Sequence, residues 1–264
     1  MDEIPLTGGN LTQVVRMGDT VRRAPGPWTP AVHMLLRYLE STGFDGAPRA
    51  LGFDEAGREV LGYIEGVAGF YSADRIVPPD LWSDGVLIAA AQLLRRYHDA
   101  ASGFVPPNDA IWQLVHPDPS RHDVICHNDF AWYNCIFRDG LPCAVIDFDI
   151  AGPGPRAWDV AYAAWRFVPL VPGWASLASL GRRLKLFCDA YGLDDRSEVV
   201  DMIQERMMAT RRLLLDGAAA GHAAYQALLA EGGHVEGIER DLAFVEDHAV
   251  ELQAWVDHPS TQIG

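Results

Sequence analysis

The sequence contains almost no lysine. Lys185 is the single lysine among 21 lysine and arginine residues in a chain of 264. Any chemistry that needs a Schiff-base lysine must therefore use Lys185, and any phosphate-binding site must be built from arginine or backbone groups. The bias towards arginine runs through the whole chain, so it indicates genomic composition rather than the design of one site.

Positive charge is also scarce, because the formal net charge is −15. This balance disfavours a nucleic acid as the main partner, since neutralising its phosphates requires a basic face. A cationic small substrate is compatible with the acidity, and so is an acidic surface that serves solubility alone.

Long apolar segments and paired cysteines are missing as well. No apolar run approaches the roughly 18–20 residues of a membrane helix, and residues 1–5 lack the basic and apolar regions of a signal peptide. We therefore expect a cytoplasmic protein that does not enter a membrane. The cysteines show no C-x-x-C spacing, which predicts small buried thiols rather than a zinc site or disulfides. They are Cys126, Cys135, Cys143 and Cys188.

Two predicted hairpins and one helix dominate the first 65 residues. Alternating residues flank glycine-containing turns at 13–23 and at 49–64, which is typical of β-hairpins. Between them, apolar residues recur with a helical period. Thr29 is expected as the N-cap of this helix, Pro30 lies in its first turn, and the helix is expected to end near Gly43.

From about residue 66 the pattern changes. A helix is predicted up to His98, followed by a proline-rich loop, a strand at 124–126 and a hairpin at 135–146 with an Asp-Gly turn. The rest of the chain has a helical pattern and closes with one long predicted helix at 235–257. This order of elements indicates an α+β protein with two lobes. The small β-rich N-lobe is predicted at residues 1–65, and the larger, mostly α-helical C-lobe at residues 66–264.

Several polar side chains gather around the predicted hairpin at 135–146. A strand leads to His127, the loop after it holds Asp129 and Asn134, and Asp147 follows the hairpin. If the hairpin turns at its Asp-Gly, Asn134 lies opposite about residue 145. Asp147 then lies two strand positions further on, roughly 7 Å along the strand. Asn134 and Asp147 are therefore expected to converge on one point.

These residue types suit one kind of chemistry. An amide oxygen and a carboxylate are oxygen ligands of the kind that bind Mg²⁺ together with water and substrate phosphates. Asp129, on the same loop, could accept a proton from a hydroxyl group. A base, an amide ligand and a carboxylate ligand are the parts that phosphoryl transfer requires.

The run H-x-D-x-x-x-x-N, followed by a hairpin and by I-D-F-D, resembles the aminoglycoside phosphotransferase family of phosphotransferase enzymes. This resemblance implies a bilobal, protein-kinase-like fold. It extends from the loop at residues 8–10 to about Leu170 and is strongest from Val124 to Trp165. The segment from Trp158 to Leu170 further resembles the trifolitoxin-immunity-like branch of these phosphotransferases.

The resemblance implies roles for the loop and the hairpin. Asp129 is implied as the catalytic base, and Asn134 and Asp147 are implied to hold Mg²⁺ that bridges the nucleotide phosphates. Asp149 is implied to contribute to a second metal site. Structural support of the loop is implied for His127 and Asp159, with a helix-dipole interaction as the alternative for Asp159.

On the nucleotide side, the resemblance implies a basic residue on the third strand, here called the phosphate clamp. Strand alternation puts Val21 and Arg23 on one face and Arg22 on the other. Arg23 is therefore the clamp if Val21 faces the cleft, and Arg22 is the alternative. A third possibility is that both are surface arginines, because arginine is usually exposed. Gly8 and Gly9 are implied as a short loop that covers the phosphates. Backbone groups of an adenine-binding hinge are implied at Tyr63, Ile64 and Glu65.

Two positions depart from the family pattern. The helix after the first hairpin should offer a glutamate to the clamp, and His33 lies near that place instead. A neutral histidine accepts one hydrogen bond but supplies no charge. Many relatives carry a basic residue at the position of Ala131, so the γ-phosphate loses one cation here. The residues expected to border the acceptor site are Trp132, Tyr133, Trp165 and Arg166, with loop packing as the alternative for the first two.

Together these observations predict an ATP- or GTP-dependent O-phosphotransferase, assisted by Mg²⁺, that acts on a hydroxylated small molecule. The acceptor could be an antibiotic, as in resistance or self-immunity, or a metabolite. The alternative is a kinase-like immunity module that sequesters a toxin or antibiotic. A metal-dependent hydrolase built on His127 and Asp129 is disfavoured, because no second histidine lies at ligand spacing.

Overall fold

The structure is a computed structural model, and it describes residues 3–6, 14–69 and 80–258. The predicted phosphate-covering loop at Gly8 and Gly9 lies outside the described residues. Within the described ranges, no helix is both long enough and apolar enough to cross a membrane.

Short strands and one helix make up the first part of the chain, and long helices make up the last part. The described strands are β1 (Ile4–Leu6), β2 (Val14–Met17), β3 (Thr20–Arg23), β4 (Ala50–Phe53), β5 (Glu59–Gly62), β6 (Val67–Ala68), β7 (Val124–Cys126), β8 (Cys135–Arg138), β9 (Leu141–Val145) and β10 (Gly152–Gly154). The described α-helices are α1 (Thr29–Ser41), α2 (Asp84–Ala101), α3 (Arg156–Phe167), α4 (Leu177–Tyr191), α5 (Val199–Ala219), α6 (Ala223–Glu231), α7 (His234–Asp247) and α8 (Ala249–Asp257).

The first five strands form one antiparallel sheet in the order β1-β2-β3-β5-β4. Both predicted hairpins are confirmed, β2 with β3 and β4 with β5. The pairing of β3 with β5 was not predicted, and its register places Arg23 directly opposite Glu59. Directly opposed residues of an antiparallel pair have Cβ atoms about 4.5–5.5 Å apart, so long side chains at these positions can meet.

Helix α1 confirms the predicted amphipathic helix, and Val32, Leu35, Leu36 and Leu39 on its apolar face are buried in the core. The prediction of Thr29 as the N-cap is wrong, because Trp28 occupies that position. Thr29 is the first helical residue, and its hydroxyl accepts a hydrogen bond from the backbone N–H of Gly26 over 2.9 Å. Its side chain thus accepts a hydrogen bond from a backbone N–H in the turn before the helix, and not from one in the first turn of the helix.

The β8–β9 hairpin is confirmed, with Asp139 and Gly140 in its turn. The N–H of Ile146 donates to the carbonyl of Asn134 over 2.8 Å, so the register is one residue from the predicted position. Strand β6 pairs with β8 and not with the first sheet. The architecture therefore changes between Gly62 and β6, and the division into lobes at residue 65 stays a prediction.

The single long helix predicted at 235–257 is wrong, because α7 and α8 are separated at His248. The Nδ1–H of His248 donates to the carbonyl of Phe244 over 2.8 Å. Its backbone N–H bonds to Val245 instead, over 3.3 Å. The side chain thus takes the carbonyl that an uninterrupted helix would bond to this N–H, and the helix ends.

Candidate active site

A cavity of about 330 Å³ lies between the first sheet and the β8–β9 hairpin. Val21 and Arg23 of β3 line it from the sheet, while Asn134 and Asp147 line it from the two ends of the hairpin. Strand alternation therefore turns Arg23, not Arg22, towards the cavity. The nearest carboxylate to the guanidinium of Arg22 is instead that of Asp54, at 3.6 Å.

The segment after β5 closes one end of this cavity. Tyr63 and Ile64 line it, as expected for a hinge, and Gly66 contributes to the same wall. Glu65 is exposed and does not line the cavity, and its carbonyl accepts a hydrogen bond from Arg138. The predicted contact of Glu65 with a nucleotide thus has no support from its position.

His127 holds the loop that follows β7. Its Nδ1 accepts a hydrogen bond from the backbone N–H of Asp129 at 3.2 Å, and its Nε2 therefore donates to the carbonyl of Ile146 at 3.1 Å. This pair of bonds requires the neutral ring, and complete burial lowers the pKa of His127 accordingly. The imidazole thus joins the loop to the end of β9 without carrying charge.

Asp159 holds the same loop from the side of α3. Its carboxylate accepts hydrogen bonds from the backbone N–H groups of His127, at 2.5 Å, and Asn128, at 2.8 Å. His98 of α2 contacts it at 3.1 Å. Burial alone would raise the pKa of Asp159, but these partners outweigh it and the pKa is lowered. The position predicted from the sequence therefore brings a buried carboxylate to the loop backbone.

Asn128 adopts a left-handed backbone conformation, with φ of 66°. Asparagine tolerates this region better than most residues do. Its carbonyl accepts a hydrogen bond of 2.5 Å from Arg206, a completely buried arginine on α5. Arg206 was not predicted, because it lies 78 residues from Asn128 in the chain and no local pattern links the two.

The carboxylate of Asp129 has different neighbours on its two oxygens. Oδ2 accepts a hydrogen bond from Nδ2 of Asn134 at 2.7 Å. Oδ1 accepts hydrogen bonds from the hydroxyl groups of Tyr133, at 2.9 Å, and Tyr162, at 2.6 Å. Burial raises the pKa of Asp129, and the hydroxyl of Tyr162 opposes that shift. Tyr162 was not predicted, although it lies three residues after Asp159 and hence on a similar face of α3.

Asn134 and Asp147 both line the cavity, and their convergence on one metal ion stays a prediction. The amide nitrogen of Asn134 is directed to Asp129, which turns its oxygen away from that residue. The side chain of Asp147 is 48% exposed. Within the described residues, no cluster of three or more His, Cys, Asp or Glu side chains could hold a metal. The amide oxygen of Asn134 and the carboxylate of Asp147 are hard oxygen ligands, and such a pair fits Mg²⁺ that keeps water and phosphate oxygens as its other ligands.

The guanidinium of Arg23 contacts three carboxylates. It bonds to Glu59 at 2.5 Å, to Asp147 at 3.0 Å and to Asp149 at 2.5 Å. Burial would lower the pKa of Arg23, but Asp147, Asp149 and Glu59 raise it further still. The only buried cation described at the cavity is thus fixed in position by its partners.

Glu59 is the partner that sequence analysis missed. It is 1% exposed, and its second oxygen lies 2.9 Å from Nε2 of His33 on α1. The place where a helix glutamate was expected therefore holds a histidine that contacts a glutamate supplied by β5. The negative charge that the clamp needs is present, and only its position in the chain differs.

Asp149 does not line the cavity. Its Oδ1 contacts Arg23, and burial raises its pKa to about 6, with Asp147 adding to that shift and Arg23 opposing it. The structure thus gives Asp149 a guanidinium partner, and its predicted contact with a second metal stays a prediction.

Two of the four residues expected at the acceptor site are buried. Trp132 is 8% exposed and Trp165 is 3% exposed. The indole N–H of Trp165 donates to Asp241 of α7 at 3.2 Å. Their burial favours a packing role for both tryptophans, whereas Tyr133 and Arg166 remain partly exposed.

Comparison with known proteins identifies the family. A model of the phosphotransferase enzyme family matches residues 108–192. The trifolitoxin immunity protein of Rhizobium leguminosarum bv. trifolii is 37% identical over 203 residues, which cover 73% of this chain and 75% of that protein. The chain belongs to the phosphotransferase enzyme family. The matched part of this phosphotransferase includes the loop with Asp129 and Asn134, and the resemblance predicted from that motif is confirmed.

Solved structures share the fold of this phosphotransferase at low sequence identity. A choline/ethanolamine kinase family protein from Mesorhizobium loti is 19% identical, with a TM-score of 0.64 over 97% of this chain and 92% of that chain. An amicoumacin kinase in complex with AMP-PNP and Ca²⁺ is 13% identical, with a TM-score of 0.62 over 96% of this chain and 88% of that chain. The predicted α+β, kinase-like fold is therefore confirmed.

Proposed function

We propose that this phosphotransferase transfers the γ-phosphoryl group of ATP or GTP to a hydroxyl group of a small molecule. The observation that carries the proposal is the position of Asp129. Its carboxylate adjoins Asn134 on one oxygen and two tyrosine hydroxyls on the other, beside a cavity lined by Asn134 and Asp147. A proton acceptor is thus held next to two oxygen ligands, as phosphoryl transfer requires.

In this proposal each residue acts through the group that it presents. Asp129 orients the acceptor hydroxyl and accepts its proton, and the raised pKa of this carboxylate makes it a stronger base. Arg23 presents its guanidinium to the nucleotide phosphates from the sheet side of the cavity. Mg²⁺ bound by Asn134 and Asp147 would neutralise negative charge on the phosphate oxygens.

The two parts of the chain divide these tasks. We assign the nucleotide to the sheet at residues 1–65, because Tyr63 and Ile64 line the cavity beside β5. We assign the metal ligands and the acceptor to residues 66–264. Since ATP and GTP are cytoplasmic nucleotides, we place the reaction in the cytoplasm.

Turnover by the purified protein tests the proposal. We would supply ATP or GTP with Mg²⁺ and a panel of aminoglycosides, peptide antibiotics, nucleosides and hydroxylated metabolites. Asp129→Asn is expected to lower the rate by about 10²–10⁴-fold, the typical contribution of a general base, while nucleotide binding measured by calorimetry persists. Asp139→Asn is the matched control, because it changes an exposed turn residue whose φ of 52° asparagine tolerates. Equal rates in the Asp129→Asn variant and the wild type would contradict the assignment.

An immunity module that binds a toxin or antibiotic without turnover is the second candidate. The ion pairs that already engage Arg23 favour it, since a clamp bound to Asp147 and Asp149 is less available to phosphate. Mg²⁺-dependent nucleotide binding separates the two candidates, because a sequestering module requires no nucleotide. Binding of a toxin or antibiotic without any nucleotide binding would support the module.

A further inference from the structure

Arg166 on α3 is a partly exposed cation that forms no ion pair with a carboxylate among the described residues. Its Nε is buried and unpaired. Its side-chain hydrogen bond is made with Tyr162, a neutral partner, and none of the described residues offers it a carboxylate within ion-pair distance. A guanidinium that lacks a carboxylate partner in partly buried surroundings is unfavourable, because one hydrogen bond to a neutral group does not offset the desolvation of the charge.

Aromatic rings fix the orientation of this guanidinium. Its central carbon lies 3.6 Å from the ring centroid of Trp165 and 5.0 Å from that of Tyr162. Stacking of this kind holds the guanidinium plane and leaves its edge, which carries the N–H groups, available. The side chain is thus oriented without being neutralised.

The position of Arg166 is on the acceptor side of Asp129. The Oδ2 atom of Asp129 adjoins the metal ligand Asn134, whereas Oδ1 is bonded to Tyr162, whose ring lies beneath Arg166. Arg166 does not line the nucleotide cavity. Tyr162 thus connects Arg166 to the Oδ1 side of Asp129 and not to the side of Asn134. In the proposed reaction this is the side from which the acceptor hydroxyl approaches.

The neighbouring charged groups are already engaged. The buried carboxylate of Asp241 accepts from the indole of Trp165 at 3.2 Å and contacts Arg240 at 3.4 Å. The guanidinium of Arg206 donates to Asn128 and to Thr210. Near the loop, the terminal nitrogens of Arg206 thus have oxygen acceptors on the backbone and on Thr210. Among the described residues, Arg166 is the neighbouring arginine whose recorded hydrogen-bond partner is a tyrosine hydroxyl.

We propose that Arg166 binds a carboxylate group on the acceptor, so that the acceptor is a hydroxylated acid rather than a polycation. This inference rests on the proposed phosphotransfer reaction and names the acceptor class of the same site. A guanidinium matches a carboxylate through two parallel N–H···O bonds. The net charge of −15 does not oppose it, because exposed charges beyond about 8 Å are largely screened at physiological ionic strength.

Binding of matched acids and amides tests this inference without any need for turnover. The Asp129→Asn variant is titrated with glycerate and glyceramide, with N-acetylserine and N-acetylserinamide, and with a serine peptide ending in a carboxylate or an amide. Each titration is run with and without AMP-PNP and Mg²⁺. We expect at least one acid to bind about tenfold or more tightly than its amide, the effect of a charge-assisted hydrogen bond.

Variants of Arg166 assign the preference to this side chain. Arg166→Met, combined with Asp129→Asn, keeps the length of the side chain and removes the charge, so the preference for the acid should disappear. Arg212→Met is the matched control, because Arg212 is exposed on α5, and the preference should persist there. If Arg166→Met lowers the thermal unfolding midpoint below the assay temperature, Arg166→Lys takes its place. Lysine keeps the charge and loses the planar fork, so a weaker preference is expected.

Three outcomes would overturn the inference. The first is equal binding of every acid and its amide, and the second is an acid preference that survives Arg166→Met. The third is loss of nucleotide affinity in Arg166→Met, which would assign this side chain to the transferred phosphate. Absence of Mg²⁺-dependent nucleotide binding in the same titrations contradicts the proposed reaction separately, and the titrations without nucleotide then still measure the acid preference.

Discussion

Arg23 on β3 and Glu59 on β5 form an ion pair that is almost completely removed from solvent. The two side chains are 9% and 1% exposed, and the Nε–H of Arg23 donates to Oε2 of Glu59 over 2.5 Å. His33 of α1 contacts the other oxygen of Glu59. Burial would raise the pKa of Glu59, but His33 and Arg23 lower it, so the carboxylate is ionised at neutral pH. The clamp therefore has a charged partner that comes from a neighbouring strand.

Glu59→Gln should both destabilise the protein and weaken nucleotide binding. Removing one member of a buried ion pair costs about 3 kcal/mol or more, because the remaining charge is left uncompensated. Arg23 would also lose the contact that orients it, so nucleotide affinity should fall by about tenfold, the equivalent of one hydrogen bond to a charged group. Urea unfolding and calorimetry measure the two effects. Glu55→Gln, an exposed position in the same hairpin, should change neither quantity, and equal behaviour of both variants would remove Glu59 from the clamp.

Asp159→Asn should reduce stability most at neutral pH. The pKa of Asp159 lies below its ordinary value of 3.8 in the folded protein. The contribution of ionised Asp159 to the free energy of unfolding is therefore fully present above about pH 4. It is lost as the pH falls through the lower pKa of the folded state. We expect a loss of about 2–3 kcal/mol at pH 7, because two backbone N–H groups lose a charged acceptor. Urea unfolding between pH 3 and pH 7 should show this difference shrinking towards acid, while Asp109→Asn, at an exposed loop position, shows none. A difference that stays constant over this range would mean that the pKa of Asp159 is the same in the folded and the unfolded protein.

Gly181→Ala should destabilise the packing of α4 against α8. A Cβ atom at Gly181 would lie 2.3 Å from the ring of Trp255, which is closer than contact allows. Overpacking of this kind typically costs about 1–3 kcal/mol, more than alanine gains in a helix. Gly85→Ala in α2 is the control, since its Cβ meets nothing closer than 3.7 Å and should stabilise by up to about 1 kcal/mol. Thermal unfolding of both variants shows whether each substitution stabilises or destabilises the protein. Stabilisation by both would show that Trp255 moves freely.

Thiol alkylation should modify one cysteine in the native protein and all four after denaturation. Cys126, Cys135 and Cys188 are buried, and burial raises the pKa of Cys188 to about 12. Because the thiolate is the reactive form, these thiols should not react with iodoacetamide at pH 8. Cys143 is partly exposed and should react. Mass spectrometry counts the labels, Cys143→Ser should carry none in the native state, and native labelling of Cys188 would contradict the described burial.

Local patterns in the sequence were sufficient to predict most helices and strands and the residues at the centre of the candidate site. Alternation over four residues defines both hairpins of the sheet, because a strand pair joined by a short turn fixes its own register. The Asp-Gly turn at residues 139–140 likewise brings Asn134 and Asp147 to one cavity. These residues lie fewer than 15 positions apart, so their proximity can be predicted from their spacing in the sequence.

Contacts between distant segments could not be read in the same way. Glu59 reaches Arg23 because β5 pairs with β3 across the intervening helix and β4, and no turn fixes that register in the sequence. Tyr162 reaches Asp129 only once α3 packs beside the loop. Helix α7 ends at His248 because the side chain of this residue competes for a backbone hydrogen bond. Hydrophobic periodicity does not predict such a bond.

The bond from Arg206 to the carbonyl of Asn128 joins the last third of the chain to the loop that holds Asp129. Arg206 lies beyond residue 192, where the match to the family model ends. A fragment cut to that recognisable segment would retain the motif yet leave this carbonyl without its donor. The segment that matches the family model is therefore not sufficient by itself, and truncation or domain exchange has to keep α5 with the loop that it supports.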